Sequence, residues 1–211
     1  MFTGIIQEVG KILKIAPSSD ATTFQIQSKT AIKKKKIGQS IAVNGICVTI
    51  TSLSKESFAF ESMQETLNRT NLKNAKVNDK VNLEPAMTLN QSLDGHLVQG
   101  HIDTEGTIAK FSKEKNRSVL KVKFPEQIAP YLSFKGSITI NGVSLTISDL
   151  QTDYFEVDLI PHTLKNTNLN NLKEGDKVNI ETDPIAKHIK RLLDHKELET
   201  KYEFLKDRNL I

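Results

Sequence analysis

A chain of 211 residues is long enough for one large domain or two small ones, and 29 Lys and Arg against 25 Asp and Glu leave a net charge of only +4. So mild an excess argues weakly for a polyanionic partner, and 3 Tyr with no Trp offer little surface for stacking bases, which disfavours nucleic acid. A single cysteine, Cys47, excludes an intramolecular disulfide framework. With no apolar run near the ~20 residues of a membrane span and no signal-peptide pattern in MFTGII, a soluble cytoplasmic protein without membrane contact is expected.

Residues 1–12 read as a strand close to the N-terminus, where chains tend to fray, so something should hold Phe2 down. A β-type run follows over 22–27, then a short helix or turn over 30–36. The lysines at 33–36 read as a solvated face, because no aromatic residues interleave with them. Asn44-Gly45 between apolar runs is a strong hairpin signal. Beyond it side chains alternate by two, which puts Cys47 and Thr49 on one face and Ile46, Val48 and Ile50 on the other. Small polar groups on one face fit the solvent side of an antiparallel sheet. From pattern alone that is the preferred reading; Cys47 weakens it, since free cysteine is usually buried, and a pocket wall would reconcile a buried cysteine with its Thr neighbour. A strand over 57–62, a polar stretch over 65–72 and a loop at Asn78-Asp79 running into the strand VNLE complete this half. Residues 91–95 form a turn-rich link.

From there the chain repeats itself. Ile41, Asn44, Gly45, Thr49, Ile50 and Leu53 recur as Ile138, Asn141, Gly142, Thr146, Ile147 and Leu150, 97 residues later. At the same offset ETLNRTNL aligns with HTLKNTNL and DKVNLE with DKVNIE, whereas GIIQEVGKI aligns with GHIDTEGTI at an offset of 96. A period this long is a whole small domain, since solenoid units run to roughly 20–50 residues. Short strands separated by turn signals indicate an all-β barrel or sandwich for each half. In the second copy Ser144 and Thr146 take the places of Cys47 and Thr49, with Val143, Leu145 and Ile147 on the opposite face; the run over 154–159 is a strand, and Pro161 restrains the turn after it. Lys135 replaces Gly38, His162 replaces Glu65 and His101 replaces Ile5, so the second half carries more ionisable groups. His96 and His101 are five apart and would face opposite ways on one strand, which disfavours a shared metal.

The tail has no counterpart in the first half. Asp183-Pro184 is a helix start, with Asp as the N-cap and Pro at the first helical position. Ile185, Ile189, Leu192 and Leu193 form one apolar stripe, and Leu198, Tyr202 and Leu205 fall on a different side. Such a stripe needs a cover, either another copy of the chain or its own barrel. His188 and His195 read as helix-surface residues.

MFTGII, NGICVT, ESMQETL, GHLVQGHID, KGSITINGVSLT, LIPHTL and NIETDP together resemble the riboflavin synthases of the α-chain type, a lumazine-binding double-barrel family, over essentially the whole chain. The resemblance implies an all-β fold: two similar six-stranded antiparallel Greek-key barrels over 1–95 and 96–183, then a helix over 184–211 that assembles a homotrimer. The activity it implies is dismutation of two 6,7-dimethyl-8-ribityllumazine molecules by four-carbon transfer, without a cofactor. The products are riboflavin and 5-amino-6-(D-ribitylamino)uracil, and association with lumazine synthase is a further implication.

By the same resemblance one pocket comprises Gly4, Ile5 and Ile6, then Cys47, Val48 and Thr49, then Glu61, Ser62, Met63, Gln64, Glu65 and Thr66. The other comprises Gly100, His101 and Ile102, then Lys135, Ser144, Leu145 and Thr146, then Ile160, Pro161, His162, Thr163, Leu164 and Lys165. Phe2 stands where the family has an aromatic near the reacting rings. His101 is a proton-transfer candidate, and Cys47, Ser144 and Thr146 are candidates to supply or activate a nucleophile, with water as a rival. Lys135 and Asp183 occupy positions linked across the second pocket, though Asp183 also explains itself as a helix cap. A non-catalytic, antenna-type lumazine- or flavin-binding protein is the competing reading.

Overall fold

Period-2 burial and positive-φ turns account for most of the architecture. The structure, a computed structural model, describes residues 1–113 and 117–207, with helical backbone alone over 197–207. In the first copy β1 (Glu8–Pro17), β2 (Ala21–Gln27), β3 (Ser40–Val43), β4 (Ile46–Thr49), β5 (Ser52–Leu53), β6 (Ser57–Met63) and β7 (Lys80–Pro85) form an antiparallel sheet ordered β4-β3-β7-β1-β2-β6-β5, with a short helix α1 (Gln64–Arg69) before β7. In the second, β8 (Thr104–Lys113), β9 (Ser118–Lys123), β10 (Ser137–Ile140), β11 (Val143–Leu150), β12 (Tyr154–Leu159) and β13 (Lys177–Thr182) close a barrel ordered β10-β11-β12-β9-β8-β13, with α2 (Pro161–Asn166) before β13. The long crossing from β9 to β10 between hairpins is the Greek-key feature.

Both Asn-Gly pairs form the expected hairpins. Asn44 and Gly45 have φ of 47° and 80°, and Asn141 and Gly142 of 48° and 78°, the two positive values that a tight hairpin turn demands. Register follows, with Ala42 opposite Cys47 and Thr139 opposite Ser144. Ile46, Val48 and Ile50 point into one core with Phe24, Phe58 and Phe60, while Val143, Leu145 and Ile147 join Leu120, Val122 and Phe155 in the other.

Three sequence expectations change. The two barrels are unequal: β11 runs unbroken through a bulge between Ile147 and Asp149, but its counterpart is interrupted at Ile50-Thr51. The first sheet is therefore a half-barrel whose two edge strands are the pieces of one segment. The first strand begins at Glu8, not Met1; residues 1–7 are an arm that makes a β-bridge between Phe2 and Val98 and is held further by hydrogen bonds with loops and with the Glu84 side chain. The polar stretches at 65–72 and 162–169 are short helices followed by 3₁₀ turns, and Pro161 is the first helical residue rather than a turn brace.

The third helix, α3 (Pro184–Asp207), starts as expected, the Asp183 carboxylate accepting the Ile185 amide at 2.8 Å. Lys187 ties its first turn to Asp103 at 2.7 Å. Its stripe does not fold back on the barrels: Ile185, Ile189, Leu192 and Leu193 are 54%, 53%, 70% and 60% exposed. Leu198, Tyr202 and Leu205 lie outside the described side chains.

The copies are joined by a buried asparagine network that repeats itself about a pseudo-twofold. Asn82 Nδ2 donates to the Asn141 carbonyl at 3.0 Å, and Asn179 Nδ2 to the Asn44 carbonyl at 2.9 Å. The Asn71 amide reaches Asn179 Oδ1 at 2.8 Å, and the Asn168 amide reaches Asn82 Oδ1 at 2.7 Å. Side-chain amides satisfy the turn backbones where the two hairpins meet, so few buried polar groups there lack a partner.

Candidate active site

The outward faces of β4 and β11 carry the candidate nucleophiles, and the structure brings to each an arm from the opposite copy. The Gly4 carbonyl accepts the Ser144 amide at 2.8 Å, and the Gly100 carbonyl accepts the Cys47 amide at 2.9 Å. Ile6 packs against the second core and Ile102 against the first. Within one chain Gly4, Ile5 and Ile6 therefore belong with Ser144, and Gly100, His101 and Ile102 with Cys47, the reverse of the grouping expected from their order. Both arm glycines have positive φ, 76° at Gly4 and 82° at Gly100. A β-carbon on either would lie 2.6 Å from the β-carbon of the residue it covers, so glycine is required twice over.

Each arm is held by a buried carboxylate at the end of a strand. Glu84 accepts the Thr3 amide at 2.7 Å, the Thr3 hydroxyl at 2.8 Å and the Gly4 amide at 3.0 Å. Glu181 accepts the Gln99 amide at 2.7 Å and the Gly100 amide at 2.9 Å. Burial raises the Glu84 carboxyl above its usual range against those three donors and the N-terminal ammonium. Burial pushes Glu181 up to about 7, opposed by its two amide donors and Lys187 and reinforced by Asp103.

The two centres differ chemically. Beside Ser144 sits His96, with Nδ1 2.7 Å from Ser144 Oγ and its amide donating to the Thr3 carbonyl at 3.2 Å. Burial lowers the imidazole pKa and Asp183 pulls it back up, so the ring is neutral near pH 7 and suited to take a proton. Beside Cys47 sit Gly100 and the fully buried Phe2, which packs with Ala42 and Val98. That packing, the Val98 bridge and the Glu84 carboxylate together hold the terminus down.

Around each centre most of the remaining predicted contacts are open to solvent. Thr49, Glu61, Met63, Gln64 and Glu65 are exposed, as are Thr146, Ile160, Pro161, His162 and Lys165; Thr66, Thr163 and Leu164 are half-buried. Val48, Leu145 and Ser62 are buried, so these positions offer a ligand backbone rather than side chain. Glu65 pairs with Arg69 one helical turn on, whereas in the second copy Asn166 donates to the His162 carbonyl. Lys135, exposed at φ 64°, donates its amide to the Ile147 carbonyl at 3.0 Å, and His101 is exposed. No cluster of His, Cys, Asp or Glu suited to a metal occurs among the described residues.

Sequence reasoning missed Glu84 and Glu181 and left His96 open. The recurrence of VNLE as VNIE kept both the Asn and the Glu in register, and that is the signal that would have found the carboxylates. His96 had none, because Gly95-His96 has no counterpart at either offset.

Residues 3–86 and 99–183 each match the family described as lumazine binding domain. The chain is 44% identical to the riboflavin synthase of Actinobacillus pleuropneumoniae, over 92% of this chain and 90% of that one. It is 40% identical to the riboflavin synthase of Bacillus subtilis (strain 168), over 95% and 93% respectively. Among solved structures it is similar to LumP complexed with riboflavin, with a TM-score of 0.81 and 29% identity, covering 86% of this chain and 99% of that one. LumP complexed with 6,7-dimethyl-8-(1'-D-ribityl) lumazine gives a TM-score of 0.79 at 28% identity with the same coverage.

Proposed function

The chain belongs to the lumazine binding domain family, with two copies in tandem, and from that membership we propose that it is a riboflavin synthase. It converts two molecules of 6,7-dimethyl-8-ribityllumazine into riboflavin and 5-amino-6-(D-ribitylamino)uracil by moving a four-carbon unit from one to the other, the last step of riboflavin biosynthesis. The observation that carries this reading is the repetition of one cradle with different chemistry in each copy: a glycine arm over Cys47 with Phe2 beside it, and a glycine arm over Ser144 with His96 beside it. Two similar cradles suit two molecules of one compound, and unequal side chains suit a donor and an acceptor.

The reaction needs a proton taken from the methyl on carbon 7 of one lumazine and a nucleophile added to the other. Neutral His96 accepts the Ser144 hydroxyl proton and raises the nucleophilicity of Oγ, or does the same for a water. His101, exposed on the arm over Cys47, is the second proton-transfer candidate. Joining two bound rings is mostly an orientation problem, for which positioning contributes up to ~7–11 kcal/mol.

Both centres are open in the single chain, so the reading includes a neighbour that covers them, which brings a first-copy centre against a second-copy one. The exposed stripe of α3 supports a homotrimer as that assembly. Among the described residues no helix is long and apolar enough to cross a membrane, in keeping with cytoplasmic work. A lumazine synthase bound alongside would deliver the substrate directly, and co-purification of the two tests this.

Incubating the protein with 6,7-dimethyl-8-ribityllumazine and following riboflavin fluorescence tests the assignment. Catalytic turnover, reduced ~10²-fold or more in Ser144→Ala and His96→Gln, is the expected result. Stoichiometric lumazine binding without product would instead favour the antenna-type protein.

A further inference from the structure

We propose that Glu84 and Glu181 are positioning residues that act across the pseudo-twofold, Glu84 setting the geometry at Ser144 and Glu181 setting the geometry at Cys47. Each lies at the end of a strand in one copy, and each is connected through only two arm residues to the nucleophile candidate on the other. From Glu84 the path runs through the Thr3 and Gly4 amides, then from the Gly4 carbonyl to the Ser144 amide at 2.8 Å. From Glu181 it runs through the Gln99 and Gly100 amides, then from the Gly100 carbonyl to the Cys47 amide at 2.9 Å.

The residue type is dictated by the task. Two successive backbone N–H groups need an acceptor with two oxygens, and among side chains only a carboxyl supplies that. A glutamine of the same shape presents an NH₂ to one of the two amides. Glu84 is 2% exposed and Glu181 1% exposed, so water cannot replace a lost partner cheaply. The placement of these acids on the interior side of the arms also excludes direct contact with a ligand on the outer face, which is why they position rather than react.

The arms are not interchangeable. Glu84 also takes the Thr3 hydroxyl, whereas Glu181 lies near Asp103, which accepts the Thr182 amide and hydroxyl at 2.8 Å each and pairs with Lys187 of α3. The arm over Cys47 is therefore tied to the root of the C-terminal helix, and the arm over Ser144 is tied to the N-terminus.

Crossed control predicts crossed effects, and the single cysteine reports on one side of it. In full-length protein without substrate, iodoacetamide alkylation of Cys47 should accelerate roughly fivefold in Glu181→Gln, the factor that goes with one lost hydrogen bond of ordinary strength. In Glu84→Gln it should change by less than about twofold, although Glu84 and Cys47 belong to the same copy. Turnover by Glu84→Gln should fall through kcat with KM little changed. Only this turnover measurement rests on the synthase reading; thiol alkylation needs no substrate, so a failed assignment and a failed clamp give different results. If Glu181→Gln does not fold, Glu181→Asp, which keeps both oxygens but withdraws them by one methylene, is read in the same way. Equal alkylation rates in the two variants, or a larger effect in Glu84→Gln, would overturn the crossed arrangement.

Discussion

Replacing Gly100 by alanine tests the close approach on which the Cys47 centre is built. Gly100 sits at φ 82°, and an added β-carbon would lie 2.6 Å from Cys47 Cβ, 2.8 Å from the Cys47 nitrogen and 3.0 Å from the Phe2 ring. The left-handed backbone alone costs an alanine about 1–2 kcal/mol. Because two of the three contacts are to Cys47 itself and Glu181 pins the arm from behind, relief requires the arm to lift and the Cys47–Gly100 hydrogen bond at 2.9 Å to stretch, about 1 kcal/mol more. The total is ~2–3 kcal/mol, or roughly 4–12 °C in Tm for a chain of this size. Gly175→Ala is the control, since Gly175 has φ 90° with nothing within 4 Å of the added carbon, so only the backbone cost applies. Thermal unfolding of both variants by circular dichroism should place Gly100→Ala clearly below Gly175→Ala. Equal losses would show that the arm does not press on Cys47 and would refute the crossed architecture at this point.

Stability should depend on pH through Glu181. Its carboxyl is raised from 4.5 to about 7, so between those values the folded chain holds a proton that the unfolded chain has released; stability falls as pH rises through that window, by at most ~3 kcal/mol. Glu84 is raised too and acts in the same sense, whereas Glu8, held low by the Ala31, Lys29 and Thr30 amides and the Ser28 hydroxyl despite its burial, gives stability that is lost on acidification. The difference in urea midpoint between the native protein and Glu181→Gln isolates the Glu181 share, and a difference that stays flat from pH 4.5 to 7 would count against it. Asn179→Ala strips partners from the Asn71 amide and the Asn44 carbonyl, costing ~2–4 kcal/mol; Asn82→Ala should match it within about 1 kcal/mol, and a large inequality in chemical denaturation would break the pseudo-twofold account. Charging the α3 stripe with Ile189→Asp and Leu192→Asp should shift the light-scattering mass to that of one chain, 23.6 kDa, and abolish turnover with it. Retention of the assembly would place the interface elsewhere.

What the sequence determined by itself was whatever depends on neighbours along the chain. Asn44-Gly45 and Asn141-Gly142 dictate hairpins because both central positions need positive φ, and alternation then sends Val48 inward and Cys47 outward without reference to anything distant. Asp183-Pro184 dictates the start of α3 in the same local way. The duplication, too, was legible, since identical spacing survives in the letters. Only the tertiary structure decided that the arms cross, so that Gly4 serves Ser144 and Gly100 serves Cys47. It also decided that a strand unbroken in the second copy is interrupted at Ile50-Thr51 in the first, and that His96 lies on Ser144. These contacts join residues far apart in the chain, and a repeat aligned with itself is equally compatible with arms that stay home or arms that exchange. The choice lies in buried carboxylates and asparagines whose partners belong to the other copy, and a linear pattern has no means of expressing that.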